Sequence, residues 1–113
     1  MDARLPAHLE VNAMIRSAQA LGGFGMVLNK GEREAGTILV VILDNQGAGT
    51  VLDRMPQLDG TRKWCEVTSQ AFDNLNEIQP YLDRRVQQDP DMWIVELTVA
   101  DRERFIRETL SAA

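Results

Sequence analysis

The sequence predicts an α+β domain: an antiparallel meander of four strands plus a fifth strand, with three helices in the order α-β-β-β-β-α-β-α. Three observations carry this expectation. Residues 38–43 are an unbroken apolar run, and residues 37–43 hold five β-branched side chains, Thr37, Ile38, Val40, Val41 and Ile42, which marks a strand covered on both faces. Turn chemistry at Asp44-Asn45-Gln46-Gly47 and at Pro56-Gln57-Leu58-Asp59-Gly60 separates that run from two further short segments, as in successive hairpins. Apolar residues then recur at helical spacing in three stretches that flank the strands.

The first helix is expected over residues 6–21. Pro6 suits a first helical turn, Ala7, Val11, Met14, Ala18 and Leu21 form one stripe, and Gly22-Gly23 ends it. A short strand follows at residues 24–29, then a polar loop at residues 30–36. The second strand takes residues 37–43, the third 50–55 and the fourth 62–68. Asn74 and Glu77 have capping-box spacing, with Asn in place of Ser or Thr, and open a helix whose stripe is Leu75, Ile78, Leu82 and Val86. Pro80 lies inside that pattern, so the helix either begins near Gln79 or bends there. Asp89-Pro90 ends it, because the residue before a proline resists helical geometry.

Residues 92–99 form the fifth strand, with Trp93, Val95, Leu97 and Val99 on one face and Met92, Ile94, Glu96 and Thr98 on the other. Asp101 has the position of an N-cap for a last helix burying Phe105, Ile106 and Leu110. Strands two and five are apolar on two faces, which places them near the middle of the sheet with helices on at least one side.

The chain has 113 residues, of which 44% are apolar, and neither a repeat nor a linker divides it. One domain over residues 1–113 is expected. Seventeen acids against twelve bases give a net charge of −5, and the two signs alternate along the chain. No clustered bases offer the phosphate neutralisation that nucleic-acid binding requires. The longest apolar run has six residues, far below the roughly 20 needed to span a bilayer. The opening Met-Asp-Ala-Arg-Leu-Pro lacks the basic and apolar segments of a secretory signal. A cytoplasmic protein is therefore expected, and the single cysteine, Cys65, agrees with a reducing compartment. One cysteine and one histidine, His8, cannot assemble a zinc cluster, and no cofactor is expected.

Candidate chemistry is sparse. Lys30, Gly31 and Arg33 share a glycine-flanked loop, where two cations and exposed amides can hold a phosphate or carboxylate. The loop lacks the spacing of a nucleotide-binding glycine loop, and no helix start follows it. Arg84 and Arg85 are a second anion candidate, or simply bases that complement the negative end of a helix dipole. Asp89 and Asp91 flank a proline without the ligand spacing of a calcium loop. Glu96 interrupts an apolar strand face and needs a partner if it is half-buried. His8 has no serine or cysteine near it in sequence, and Cys65, beside Trp64, packs more readily than it reacts. Trp64 and Trp93 are either core residues or interface anchors.

Arg4-Leu5-Pro6-Ala7-His8-Leu9, Gly22-Gly23-Phe24, Lys30-Gly31 with Ala35-Gly36-Thr37-Ile38-Leu39, Trp64, and Tyr81-Leu82 suggest kinship with other proteins. So do Asp89-Pro90-Asp91-Met92-Trp93-Ile94-Val95-Glu96 and Asp101-Arg102 with Phe105-Ile106. Across nearly its whole length the chain resembles a group of small bacterial proteins defined as a domain of unknown function, family 1491. The Asp-Pro-Asp-x-Trp-x-Val-Glu string is the most specific part of the resemblance. Glu10 departs from the Trp that many members carry there. The resemblance implies a compact cytoplasmic domain and no known activity.

With none of the nucleophile or metalloprotease motifs present, the expected function is a noncatalytic binding or assembly module that pairs with itself or another protein through a sheet edge. The alternative is an enzyme that binds an anion or small molecule through Lys30, Arg33 and Glu96.

Overall fold

The computed structural model describes residues 5–67 and 75–110. Helix α1 spans Ala7–Ala20, followed by strands β1 Phe24–Asn29, β2 Ile38–Leu43, β3 Gly49–Pro56 and β4 Arg62–Glu66. Helix α2 spans Leu75–Gln88, β5 spans Trp93–Thr98, and α3 spans Arg102–Phe105 before widening into a π-helical turn at Ile106–Leu110. Six strand-and-helix expectations therefore lie within a residue or two of the observed elements. Thr68 and Asn74, the end of the fourth expected strand and the start of the capping box, lie outside the described residues. Helix α2 already begins at Leu75 and runs through Pro80, which corrects the start near Gln79.

The strands form one mixed sheet in the order β1-β5-β2-β3-β4. Only β2, β3 and β4 form the antiparallel meander. The expected four-strand meander is thus corrected: β1 does not pair with β2, because β5 lies between them, antiparallel to β1 and parallel to β2. The physical reason is burial. Trp93, Ile94 and Val95 are apolar on both faces, and an inner position with strands on either side satisfies both their side chains and their backbone. Residues 30–36 accordingly cross over β5 rather than closing a hairpin.

Helices cover both faces. Ile38, Val40 and Ile42 pack with Trp93, Val95 and Leu97 beneath Val11, Met14 and Ala18 of α1 and beneath Phe105 and Leu110. The alternate residues Leu39, Val41, Leu43 and Ile94 pack beneath Ile78 and Leu82 of α2. All six residues of β2 are buried, as the unbroken apolar run requires. Each such side chain contributes about 1.5–3 kcal/mol of hydrophobic stabilisation.

Local chemistry ends the elements. Gly22 has φ 84°, a left-handed conformation that stops α1, and a Cβ on Gly23 would fall 2.1 Å from the Thr98 carbonyl oxygen. Leu21, the last residue of the expected stripe, is exposed because the helix has ended at Ala20. Asp101 caps α3 as expected, accepting a hydrogen bond from the Arg104 amide at 3.1 Å. The Arg102 Nε donates to Asp44 at 3.1 Å, tying α3 to the turn after β2. That contact and the amides of Gln46 and Ala48 matter unequally for Asp44: the Gln46 amide is the main cause of its lowered pKa.

Candidate functional site

The loop expected to hold an anion is built around its own acid. The Glu32 carboxylate accepts hydrogen bonds from the Glu34 and Ala35 amides, so those two donors are occupied. Arg33 is exposed and lies 3.6 Å from Glu34, while its carbonyl and that of Glu34 accept the His8 and Ala7 amides at 3.0 and 2.9 Å. The loop therefore satisfies the orphan donors of the first turn of α1. The His8 ring stays in this contact, with Nδ1 3.1 Å from the Arg33 carbonyl oxygen. Lys30 is exposed.

The same loop grips the turn before β5. The Glu32 amide donates to the Asp91 carbonyl at 2.8 Å, and the Trp93 amide donates to the Thr37 carbonyl at 2.7 Å. Asn29 Nδ2 donates to the Met92 carbonyl at 2.8 Å, Thr37 Oγ1 donates to Asp89 at 3.1 Å, and Trp93 Nε1 donates to the Glu32 carbonyl at 2.7 Å. Gly31 allows the closest approach, since a Cβ there would sit 2.2 Å from the Asp91 carbonyl oxygen. Gly31, Gly36, Asp89, Asp91 and Trp93 are thus parts of one interlock between two stretches far apart in sequence. Trp93 is 5% exposed, which makes it core. The acids around this turn do not converge: among the described residues, no group of three or more His, Cys, Asp or Glu side chains could hold a metal ion.

Arg85 docks α2 on the sheet. Its Nη2 donates to Asp53 at 2.9 Å and its Nη1 to the Tyr81 hydroxyl. Burial alone would lower its pKa, but the bonds to Tyr81 and Asp53 outweigh that and raise it. Arg84 is exposed, with its guanidinium 5.9 Å from the Tyr81 ring centroid. Cys65 is partly buried and its thiol faces the Lys63 carbonyl at 3.6 Å.

Glu96 lies on the α2 face of β5, opposite Met26 of β1, and is only partly buried. Partial burial raises its pKa. Beside it, the edge strand β1 exposes Phe24 by 60%, Met26 by 51%, Val27 by 39% and Leu28 by 36%. No residue of β1 is charged. At the other edge, β4 carries Arg62, Lys63 and Glu66.

A second feature escapes the sequence reading. Arg54 of β3 stands opposite Trp64 of β4 in the hairpin register, with its guanidinium 4.8 Å from the indole centroid. Both terminal nitrogens of Arg54 donate to Glu10 of α1, and the two side chains are 16% and 21% exposed. The signal for half of this was present, because Arg54 and Trp64 are equidistant from Asp59 at the turn. Nothing in the sequence placed Glu10 above them.

These elements match known proteins over almost their whole extent. The family model described as "Protein of unknown function (DUF1491)" matches residues 5–107. The chain belongs to this family. A DUF1491 family protein from Caulobacter crescentus, solved by crystallography, is 30% identical with a TM-score of 0.80, over 87% of this chain and 91% of that one. An NMR structure of a DUF1491 family protein from the same organism is 32% identical with a TM-score of 0.75, over 86% and 87% of the two chains. The solution structure of protein Atu0922 from A. tumefaciens is 28% identical with a TM-score of 0.73, over 87% and 88%. No curated protein matches the chain. The family's description gives it no function. In this member of the family, no helix among the described residues is long and apolar enough to cross a membrane.

Proposed function

We propose that this DUF1491 domain is a noncatalytic assembly module of the bacterial cytoplasm, and that its β1 edge pairs with a second copy. The observation that carries the proposal is the contrast between the two sheet edges. An edge strand presents unpaired amides and carbonyls, and monomeric proteins usually guard it with charge or proline. The β4 edge carries charges, whereas β1 is uncharged and exposes four large apolar side chains. Antiparallel pairing about a two-fold axis would bring each β1 against itself. In a chain of net charge −5, an uncharged strand is where two copies meet with least repulsion.

The test is amide hydrogen exchange in β1 at increasing protein concentration. Outward-facing β1 amides gain protection as copies pair, and exchange that ignores concentration would contradict the proposal. The alternative, an enzyme acting through Lys30, Arg33 and Glu96, has less support. No hydrogen bond or ion pair joins Glu96 to either cation, and two of the loop's amides are already bound by Glu32.

A further inference from the structure

We infer that the α2 face of β1 and β5 docks an amphipathic helix of another protein, with apolar residues on its contact side and a lysine or arginine that meets Glu96. Strand register fixes which side chains share this face. Phe24 stands opposite Thr98 and Met26 opposite Glu96, and both partners alternate with the α1-facing residues of β5. Leu28 lines, with Val86 of α2 and Ile94 of β5, a groove of about 350 Å³. Phe24, Met26 and Leu28 are exposed. The opposite face of the same strand is covered, since a Cβ on Gly25 would fall 3.0 Å from Ile15 of α1. A helix on the α2 side gives β1 the second cover that β2 already has.

Charge decides what that helix carries. Asp83 is the one charged residue lining the groove among the described residues, and its carboxylate accepts a hydrogen bond from the neutral Gln79 amide at 3.0 Å. Glu96 lies two residues beyond Ile94 on the same face and is partly buried. Neither acid has an ion pair among the described residues, and β1 carries no charge. A partly desolvated carboxylate beside apolar side chains is costly until a cation reaches it. An anionic lipid surface would be repelled by the same acids.

Length and economy of packing fit the same occupant. From Phe24 to Leu28 the strand advances about 13 Å, the rise of roughly nine helical residues, so contacts at i, i+3, i+4 and i+7 of one helix face cover it. Helices α1, α2 and α3 bury their own apolar residues in the two cores, so the docked helix comes from a different protein. It takes side chains on one face, whereas edge pairing takes the main-chain groups of β1. The inference therefore does not rest on the assembly proposal.

The experiment adds a peptide of Leu, Ala and Lys, about 15 residues long so that it can form a helix, to the 15N-labelled full chain. Its Leu residues follow i, i+3, i+4 and i+7 spacing. One control peptide carries Glu in place of Lys, and another holds the same residues in an order that breaks the spacing. The Lys peptide should shift the β1 amides saturably. Glu96→Gln should weaken that binding about tenfold, the usual loss for a charged hydrogen bond, while raising the melting temperature at neutral pH, so that lost folding is not the cause. Glu103→Gln removes an exposed acid elsewhere and should leave binding unchanged, which separates Glu96 from net charge. Peptide binding to chains that light scattering finds single supports the inference and contradicts only the assembly proposal. The inference is overturned if the Lys peptide leaves β1 unmoved or if either control binds as tightly. It is equally overturned if Glu96→Gln changes nothing, or if Glu103→Gln weakens binding as much.

Discussion

The indole nitrogen of Trp93 donates to the main-chain carbonyl of Glu32 at 2.7 Å, across 61 positions of sequence. This bond joins the first residue of β5 to the loop that crosses it, and it explains why a polar loop with two glycines sits where a hairpin turn was expected. The loop saddles β5 at the point where that strand enters the sheet.

Trp93→Phe keeps most of the buried area but leaves the Glu32 carbonyl with one donor fewer. A loss of about 1–3 kcal/mol in urea denaturation is expected. Gly31→Ala should cost more, because its Cβ would meet the Asp91 backbone at 2.2 Å and a main-chain contact cannot rotate away. A wild-type midpoint for Gly31→Ala would show that the interlock bears little of the stability.

Glu96 gives a pH signature of defined sign. Its carboxyl has a raised pKa because the folded chain partly desolvates it, so the folded state favours the protonated form. The contribution is fully present below the ordinary value of 4.5 and is lost as pH rises through the folded value. Glu96→Gln should therefore raise the melting temperature at neutral pH and have no such effect well below pH 4.5. An equal gain at both pH values would remove ionisation as the cause.

Glu10 and Arg54 are a partly buried pair with Arg54 stacked on Trp64. Glu10→Gln removes the charge and leaves the guanidinium desolvated, with an expected loss of about 1–3 kcal/mol by chemical denaturation. The partial exposure keeps this below the cost of breaking a fully buried pair. Arg54→Met in the same background should recover part of the loss, since it withdraws the stranded charge. Additive losses would show that the two residues act separately.

How far the sequence could be read follows from how local each signal is. The α1 stripe from Ala7 to Ala18, the two-faced burial of β2 and the Asp101 cap each depend on residues within a few positions of one another, and all three stand in the structure. Strand order depends on which distant segments pair, and local pattern carries no information about it. The two-faced apolar character of residues 92–97 did place β5 in the interior of the sheet, but not between β1 and β2. The candidate sites divide in the same way. Gly31, Gly36 and Trp93 were visible as unusual residues, yet their meeting at the Asp91 turn is a tertiary fact. Arg54 faces Trp64 through hairpin symmetry alone, whereas Glu10 joins them from a helix 44 residues away.

The Met26 position offers the cleanest probe of the assembly proposal. Met26 stands opposite Glu96 in the β1–β5 register, so Met26→Lys places a cation beside a carboxylate that lacks one, and the fold should be retained. The same change puts a charge on the uncharged edge, where two copies would bring like charges together. Light scattering across a concentration series measures this directly. Wild type should approach twice the chain mass of 12.7 kDa, while Met26→Lys should hold the single-chain mass. A wild-type protein that stays at the single-chain mass at every concentration would contradict the account.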